Sequence, residues 1–183
     1  MSSSPDPITI RLCTQADAPA FRELRLEALR SHPEAFSADY AIHEQHPPAF
    51  WSERLRQNIN SVQQAIFFAV ADGALIGMSG VRRGESPKTR HGALIWGVYV
   101  RPGWRGHRLS ERLLDVCVNW ARDHEVRLVK LAVVTTNIAA IRSYARSGFT
   151  VYGVEPQAIK LGERSYDELL MVKHLASESQ KAS

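Results

Sequence analysis

Val98-Tyr99-Val100-Arg101-Pro102-Gly103-Trp104-Arg105-Gly106-His107-Arg108-Leu109-Ser110 decides how the rest of this chain is read. The apolar, β-rich run 93–100 ends at Pro102-Gly103, a turn signal. A basic loop containing Gly106 follows. Leu109, Leu113, Val116, Cys117 and Trp120 then recur at helical spacing, which predicts one apolar helix face. A strand, a tight loop and a helix start leave the first amide N–H groups of the helix unpaired and convergent. The positive end of the helix dipole and Arg101, Arg105, Arg108 and Arg112 surround that point, which suits a phosphate-sized anion. A plain strand-to-helix connection with solvated arginines has the same local pattern, so this stretch alone leaves both readings open.

A second stretch weighs on the choice. Asn137-Ile138-Ala139-Ala140-Ile141-Arg142-Ser143-Tyr144-Ala145-Arg146-Ser147-Gly148-Phe149 follows the apolar strand 128–134. Asn137 suits a helix N-cap, and Gly148 stands where a left-handed glycine ends a helix. Tyr144 lies two helical turns after Asn137, so both project from nearly the same side. Ile138, Ile141 and Ala145 form a separate apolar edge, expected to face a sheet.

Together the two stretches resemble the GCN5-related N-acetyltransferase (GNAT) superfamily, and a weaker likeness extends over residues 8–175. That superfamily's cofactor signature reads Val, any residue, Pro, two residues, Arg or Gln, two residues, Gly, one residue, Gly or Ala. Here the register holds Val100, Pro102, Arg105, Arg108 and Ser110. The later signature is matched by Asn137, Ala140, Tyr144, Gly148 and Phe149. Arg108 and Ser110 depart from the pattern. Their side chains either crowd a pyrophosphate or donate hydrogen bonds to it.

The resemblance implies an α/β sandwich whose mixed, mostly antiparallel central sheet is splayed at strands 4 and 5. It implies acetyl-CoA as cosubstrate, with the pantetheine arm in that gap. The cofactor residues it carries over are Val98, Tyr99, Val100, Arg105, Gly106, His107, Arg108, Leu109, Ser110, Asn137 and Tyr144. Tyr144 is also the implied general acid toward the departing sulfur. The acceptor, a small-molecule or peptide amine, is expected near Glu27, Phe36 and Tyr40. Trp51, Glu155 and Asp167 are further wall candidates. Homodimers are common in the superfamily, though no stretch of this chain marks an interface.

The base is not legible. Trp96 and Gly97 occupy the strand positions where many relatives carry a carboxylate, which leaves Glu27, Asp39, Glu44, His46 and His91 as candidates. The missing carboxylate also keeps open a CoA-binding regulatory module without turnover.

The residues themselves predict much of the same order. Ile8, Ile10 and Leu12 alternate as a first strand. Thr14 and Asp17 have the spacing of a capping box, and Phe21, Leu24, Ala28 and Leu29 mark a helix that stops near His32-Pro33. Residues 51–59 read as a second short helix. Asp72-Gly73 between the runs 65–71 and 74–81 is a hairpin. Gly97 inside strand 93–100 marks a bulge or a close approach. The runs 149–154 and 164–174 close the sheet as an antiparallel pair. This alternation argues for an α/β sandwich.

With 183 residues, the chain fits one domain, expected over 8–175, with flexible termini at 1–7 and 176–183. No run approaches the length of a membrane span. No secretory signal pattern opens the chain, and only Cys13 and Cys117 are present, so a reducing cytoplasm is expected. The net charge of +4 is not laid out as a basic stripe for nucleic acid. No cluster has metal-ligand spacing.

Overall fold

The chain runs through β1 (Thr9–Leu12), α1 (Ala18–Ser31), α2 (Tyr40–Glu44), α3 (Pro48–Arg56), β2 (Gln64–Ala71), β3 (Ala74–Arg83) and β4 (Gly92–Val100). It continues through α4 (Leu109–Asp123), β5 (Leu128–Val134), α5 (Ile138–Arg146), β6 (Thr150–Leu161) and β7 (Arg164–His174). This computed structural model describes residues 8–175. The segments 1–7 and 176–183, expected to be flexible, lie outside the described residues.

The seven strands form one sheet in the order β1-β2-β3-β4-β5-β7-β6. Every neighbouring pair is antiparallel except β4 with β5. Alternation along β2 explains the layering. Ile66 and Phe68 join a core with Phe21, Leu24, Trp51 and Leu55 of α1 and α3. Ala65 joins the opposite core, with Leu114, Cys117 and Val118 of α4. A strand buried on both faces reads as a continuous apolar run, which is how 65–71 appears in the sequence. Among the described residues no helix is long and apolar enough to cross a membrane.

The feature that matters most is where β4 leaves β5. Only Gly92–Leu128, Ala93–Val129 and Leu94–Lys130 are in register, so the two strands separate from Ile95 onward. On its other edge β4 carries a bulge. Met78 faces Tyr99 and Gly80 faces Trp96, so β3 advances two residues while β4 advances three. Gly97 sits within the bulge at φ +67°, a left-handed backbone that a side chain rarely adopts. The splay and the bulge both match the expectation.

Several local expectations are corrected. The buried face of α4 runs through Leu109, Leu113, Leu114, Cys117, Val118 and Ala121, while Val116 and Trp120 are half-buried. The helix is therefore rotated toward the Leu113-Leu114 and Cys117-Val118 pairs. In α5, Ile138 and Ala145 face solvent, and the inward residues are Ser143 and Tyr144. The second helix is α3, one turn earlier than 51–59, because Pro48 is favourable in a first turn. β6 runs on to Leu161, with register shifts at Gly153 and between Glu155 and Ile159. The cap predictions match: Asn137 accepts the Ala140 N–H at 3.1 Å, and Gly148 has φ +84°.

Asp17 anchors the entry to α1. Its carboxylate accepts the Thr14 N–H at 2.7 Å and both terminal nitrogens of Arg11 at 2.7 Å. The Arg11 guanidinium, ahead of the Thr14 bonds, lowers its pKa to about 2. A depressed carboxylate stabilises the fold above its unfolded pKa and loses that contribution as pH falls through the folded value. Asp17→Asn should therefore cost about 1–3 kcal/mol at pH 7, and the difference should vanish near pH 2. Urea unfolding of both proteins across that range checks it.

Candidate active site

The N-terminus of α4 is built by a loop with two consecutive kinks. Gly106 has φ +89° with open space where a Cβ would stand, and Arg108, the residue before the helix, has φ +54°. Position 108 thus demands a left-handed backbone, which explains why the resembled signature has glycine there. The Arg108 side chain projects into solvent, 3.9 Å from Glu111. Ser110, in the first turn, lines the cleft below.

That cleft, about 470 Å³, lies between the separating strands and beneath α4 and α5. Of the residues singled out for a cofactor, Val98, Tyr99, Val100, Arg105, Gly106, Arg108, Leu109, Ser110, Asn137 and Tyr144 line it. His107 does not. Beyond Leu94 the β5-facing edge of β4 has no strand partner among the described residues, so alternate backbone groups there are open to a ligand. Arg105 is held back against the sheet: its Nε donates to the Val100 carbonyl at 3.3 Å and Nη2 to His32 Nε2 at 2.9 Å.

Tyr144 is 7% exposed and reaches the same cleft from α5. Burial raises its phenol to about 12, so it is protonated throughout the physiological range. The buried Cys117 thiol shows what this interior does to sulfur, since burial likewise raises it to about 12.

A second cleft, about 790 Å³, opens on the α1–α3 side and is lined by Phe36, Phe50, Arg54, Leu94, Trp96 and Glu168 among others. Both volumes fall within the usual range of small-molecule sites. Ala35 and Phe36 line both clefts, and Gly97 of one adjoins Val98 of the other. The clefts therefore meet at the bulge.

Of the acceptor-side residues singled out, Phe36 lies at this junction. Glu27 lines neither cleft. It accepts from the Tyr99 hydroxyl and from Arg101 Nε, both at 2.9 Å, and so braces the end of β4. Tyr40 is also outside both, its hydroxyl donating to Glu44 at 2.7 Å. Trp51 is buried in the core. Asp167 accepts the Gln157 N–H at 2.8 Å.

Three residues escaped the sequence reading. Glu111 enters the cleft beneath α4 and α5 and accepts Arg146 Nε at 2.7 Å. Glu168 enters the cleft on the α1–α3 side, its pKa raised by burial and then by Glu155. Arg25 is buried beside the bulge. The alternation of β7 could have shown Glu168, because Asp167 and Glu168 must point to opposite faces.

Residues 21–149 match the model of the Acetyltransferase (GNAT) family. Among curated relatives, the chain is 27% identical over 141 residues to the mycothiol acetyltransferase of Brachybacterium faecium, covering 77% of this chain and 40% of that protein. The chain thus spans less than half of that relative. It is 26% identical over 162 residues to the L-amino acid N-acetyltransferase AaaT of Escherichia coli, covering 85% of this chain and 91% of the relative. A GNAT-family acetyltransferase from Streptococcus pneumoniae superposes with TM-score 0.83 at 22% identity, covering 93% of this chain and 100% of that one. The yncA acetyltransferase from Salmonella typhimurium with its cofactor acetyl-CoA gives 0.75 at 23%, covering 94% and 96%. At such identities these two likenesses speak for the fold.

Proposed function

The chain belongs to the acetyltransferase (GNAT) family, and we propose that it transfers the acetyl group of acetyl-CoA to the primary amine of a small molecule or peptide. It is an acyltransferase with acetyl-CoA as cosubstrate. Residues 8–175, built on one sheet, are read as a single catalytic domain. A reducing cytoplasm suits its two free, buried cysteines.

One observation carries the reading: the cleft along the open edge of β4 and the acceptor cleft meet at the Gly97 bulge. The pyrophosphate is assigned to the amides of the Leu109–Ser110 turn, where the helix dipole favours negative charge. The thioester end then lies toward the bulge. Free β4 amides there can stabilise the negative charge that builds on the carbonyl oxygen as the amine attacks. The new N–C bond forms, the C–S bond breaks, and the thiolate takes its proton from the Tyr144 hydroxyl.

The amine must lose a proton, and Glu168 is the assigned acceptor, directly or through one water. Of the acids facing the acceptor cleft, Glu53 is bound by Arg56 and Gln57, which hold its pKa at about 2. Glu168 has its pKa raised instead, by burial and then by Glu155, the direction that favours a base. The acid limb of kcat/KM should follow this carboxyl and shift upward with it. Glu168→Gln should remove that limb and lower the rate roughly 100-fold at pH 8. Acetyl-dependent thiol release over an amine panel, with the acetylated product identified by mass, tests the transfer. An unchanged pH profile in Glu168→Gln would exclude this base.

A further inference from the structure

Arg25 stands between Leu24 and Leu26 on α1 and is 5% exposed. It lines the acceptor cleft. Its Nε and Nη1 are buried without a hydrogen-bond partner, and among the described residues it forms no ion pair. The guanidinium carbon lies 5.0 Å from the centre of the Phe36 ring. Nη1 comes within 3.4 Å of where a Cβ on Gly97 would be, so the charge abuts the bulge where the two clefts meet.

A second guanidinium, Arg54, lines the same cleft with its carbon 4.9 Å from the centre of the Trp96 ring. Burial, with Arg54 as the second cause, lowers the Arg25 pKa to about 10, which leaves it charged at neutral pH. Glu168 shares the cleft without pairing with either arginine, and Glu53 is taken by Arg56 and Gln57. An unpaired buried cation is costly, the Phe36 ring offsets part of that cost, and an incoming anion would offset the rest.

We propose that Arg25, with Arg54 in the same cleft, receives the carboxylate of the acceptor, so that the substrates are free amino acids acetylated on the α-amine. This rests on the acetyl-transfer reading above. In an α-amino acid a single carbon separates amine from carboxylate. A carboxylate held beside Gly97 therefore keeps the amine at the junction of the clefts. A peptide N-terminus offers a neutral amide at that position and would leave the guanidinium unpaired. Phe36, Phe50 and Trp96 supply an apolar wall for the side chain.

The test compares L-leucine, L-methionine and L-phenylalanine with their amides, in the wild type and in Arg25→Met and Arg25→Lys. Two readouts are used: kcat/KM with acetyl-CoA, and the shift in thermal midpoint on adding the amino acid or the amide alone. The wild type should favour free acids by ten- to a hundredfold, the worth of a charge-assisted hydrogen bond. Only the acids should raise its midpoint. Arg25→Met should bring acid and amide within about threefold of each other, with a midpoint at least as high as wild type without ligand, since a buried unpaired charge is gone. Arg25→Lys should keep part of the preference. Amides acetylated as well as acids would overturn the proposal. So would a panel in which acetyl-CoA binds and no acid reacts or shifts the midpoint, with the acetyl-transfer reading still standing. Should acetyl-CoA fail to bind, that reading falls, and the acid-versus-amide midpoint shift still decides the carboxylate site.

Discussion

Tyr144→Phe is expected to lower kcat by roughly 100- to 1000-fold and to change the Kd for acetyl-CoA by no more than about threefold. The substitution removes one oxygen from a side chain whose ring is packed beneath α4 and β4 and whose hydroxyl faces the cleft. The ring's packing is preserved, so stability should be nearly unchanged. Under the proposed mechanism the substitution takes away the proton for the departing sulfur, which raises the barrier in the transition state and not in the bound ground state. Stopped-flow turnover with a saturating amine, beside a calorimetric titration of acetyl-CoA, separates the two quantities. A Kd that rises as much as kcat falls would make Tyr144 a binding residue. An unchanged kcat would remove it from the chemistry.

Ser110→Asp should oppose two properties that usually move together. A carboxylate in the first turn of α4 complements the helix dipole and should hold or slightly raise the thermal midpoint. The same carboxylate stands where a pyrophosphate is assigned, and like charges there should weaken acetyl-CoA binding by ten- to a hundredfold or more at low salt. Added salt should narrow the gap by screening the repulsion. Glu111 already brings one acid to this turn, but Arg146 neutralises it at 2.7 Å. Arg105 is held away from position 110 by its bonds to Val100 and His32. Affinity unchanged by Ser110→Asp would move the phosphates away from α4.

The parts of this molecule that could be read from the chain are those in which one residue has one job. Asp72-Gly73 makes a hairpin, and Gly97 makes a bulge because a positive φ suits no other residue so well. Asn137 and Gly148 bound α5 for equally local reasons. The splay of β4 from β5 was implied by family likeness, since nothing in residues 95–100 alone says that pairing must stop.

What stayed illegible depends on tertiary placement. Leu113-Leu114 and Cys117-Val118 offer two overlapping apolar stripes, and only the sheet beneath α4 chooses between them. The five-residue α2 has too few turns to show a period. Arg25 reads as a solvated charge on an amphipathic helix, because arginines are rarely buried. Its burial follows from α1 lying across the bulge, a contact separated by some seventy residues in sequence. Glu27 read as an acceptor residue for the converse reason. Its neighbours Tyr99 and Arg101, which engage both of its oxygens, come from the end of β4 and the residue just after it.

Backbone amide chemical shifts of the isotopically labelled protein, recorded as acetyl-CoA is added, test most directly whether the cofactor lies along β4 with its phosphates on α4. The expected result is saturable binding with the largest shifts confined to 98–100 and 109–111 and smaller ones at Asn137 and Tyr144. Shifts centred elsewhere, or none at millimolar acetyl-CoA, would contradict that placement.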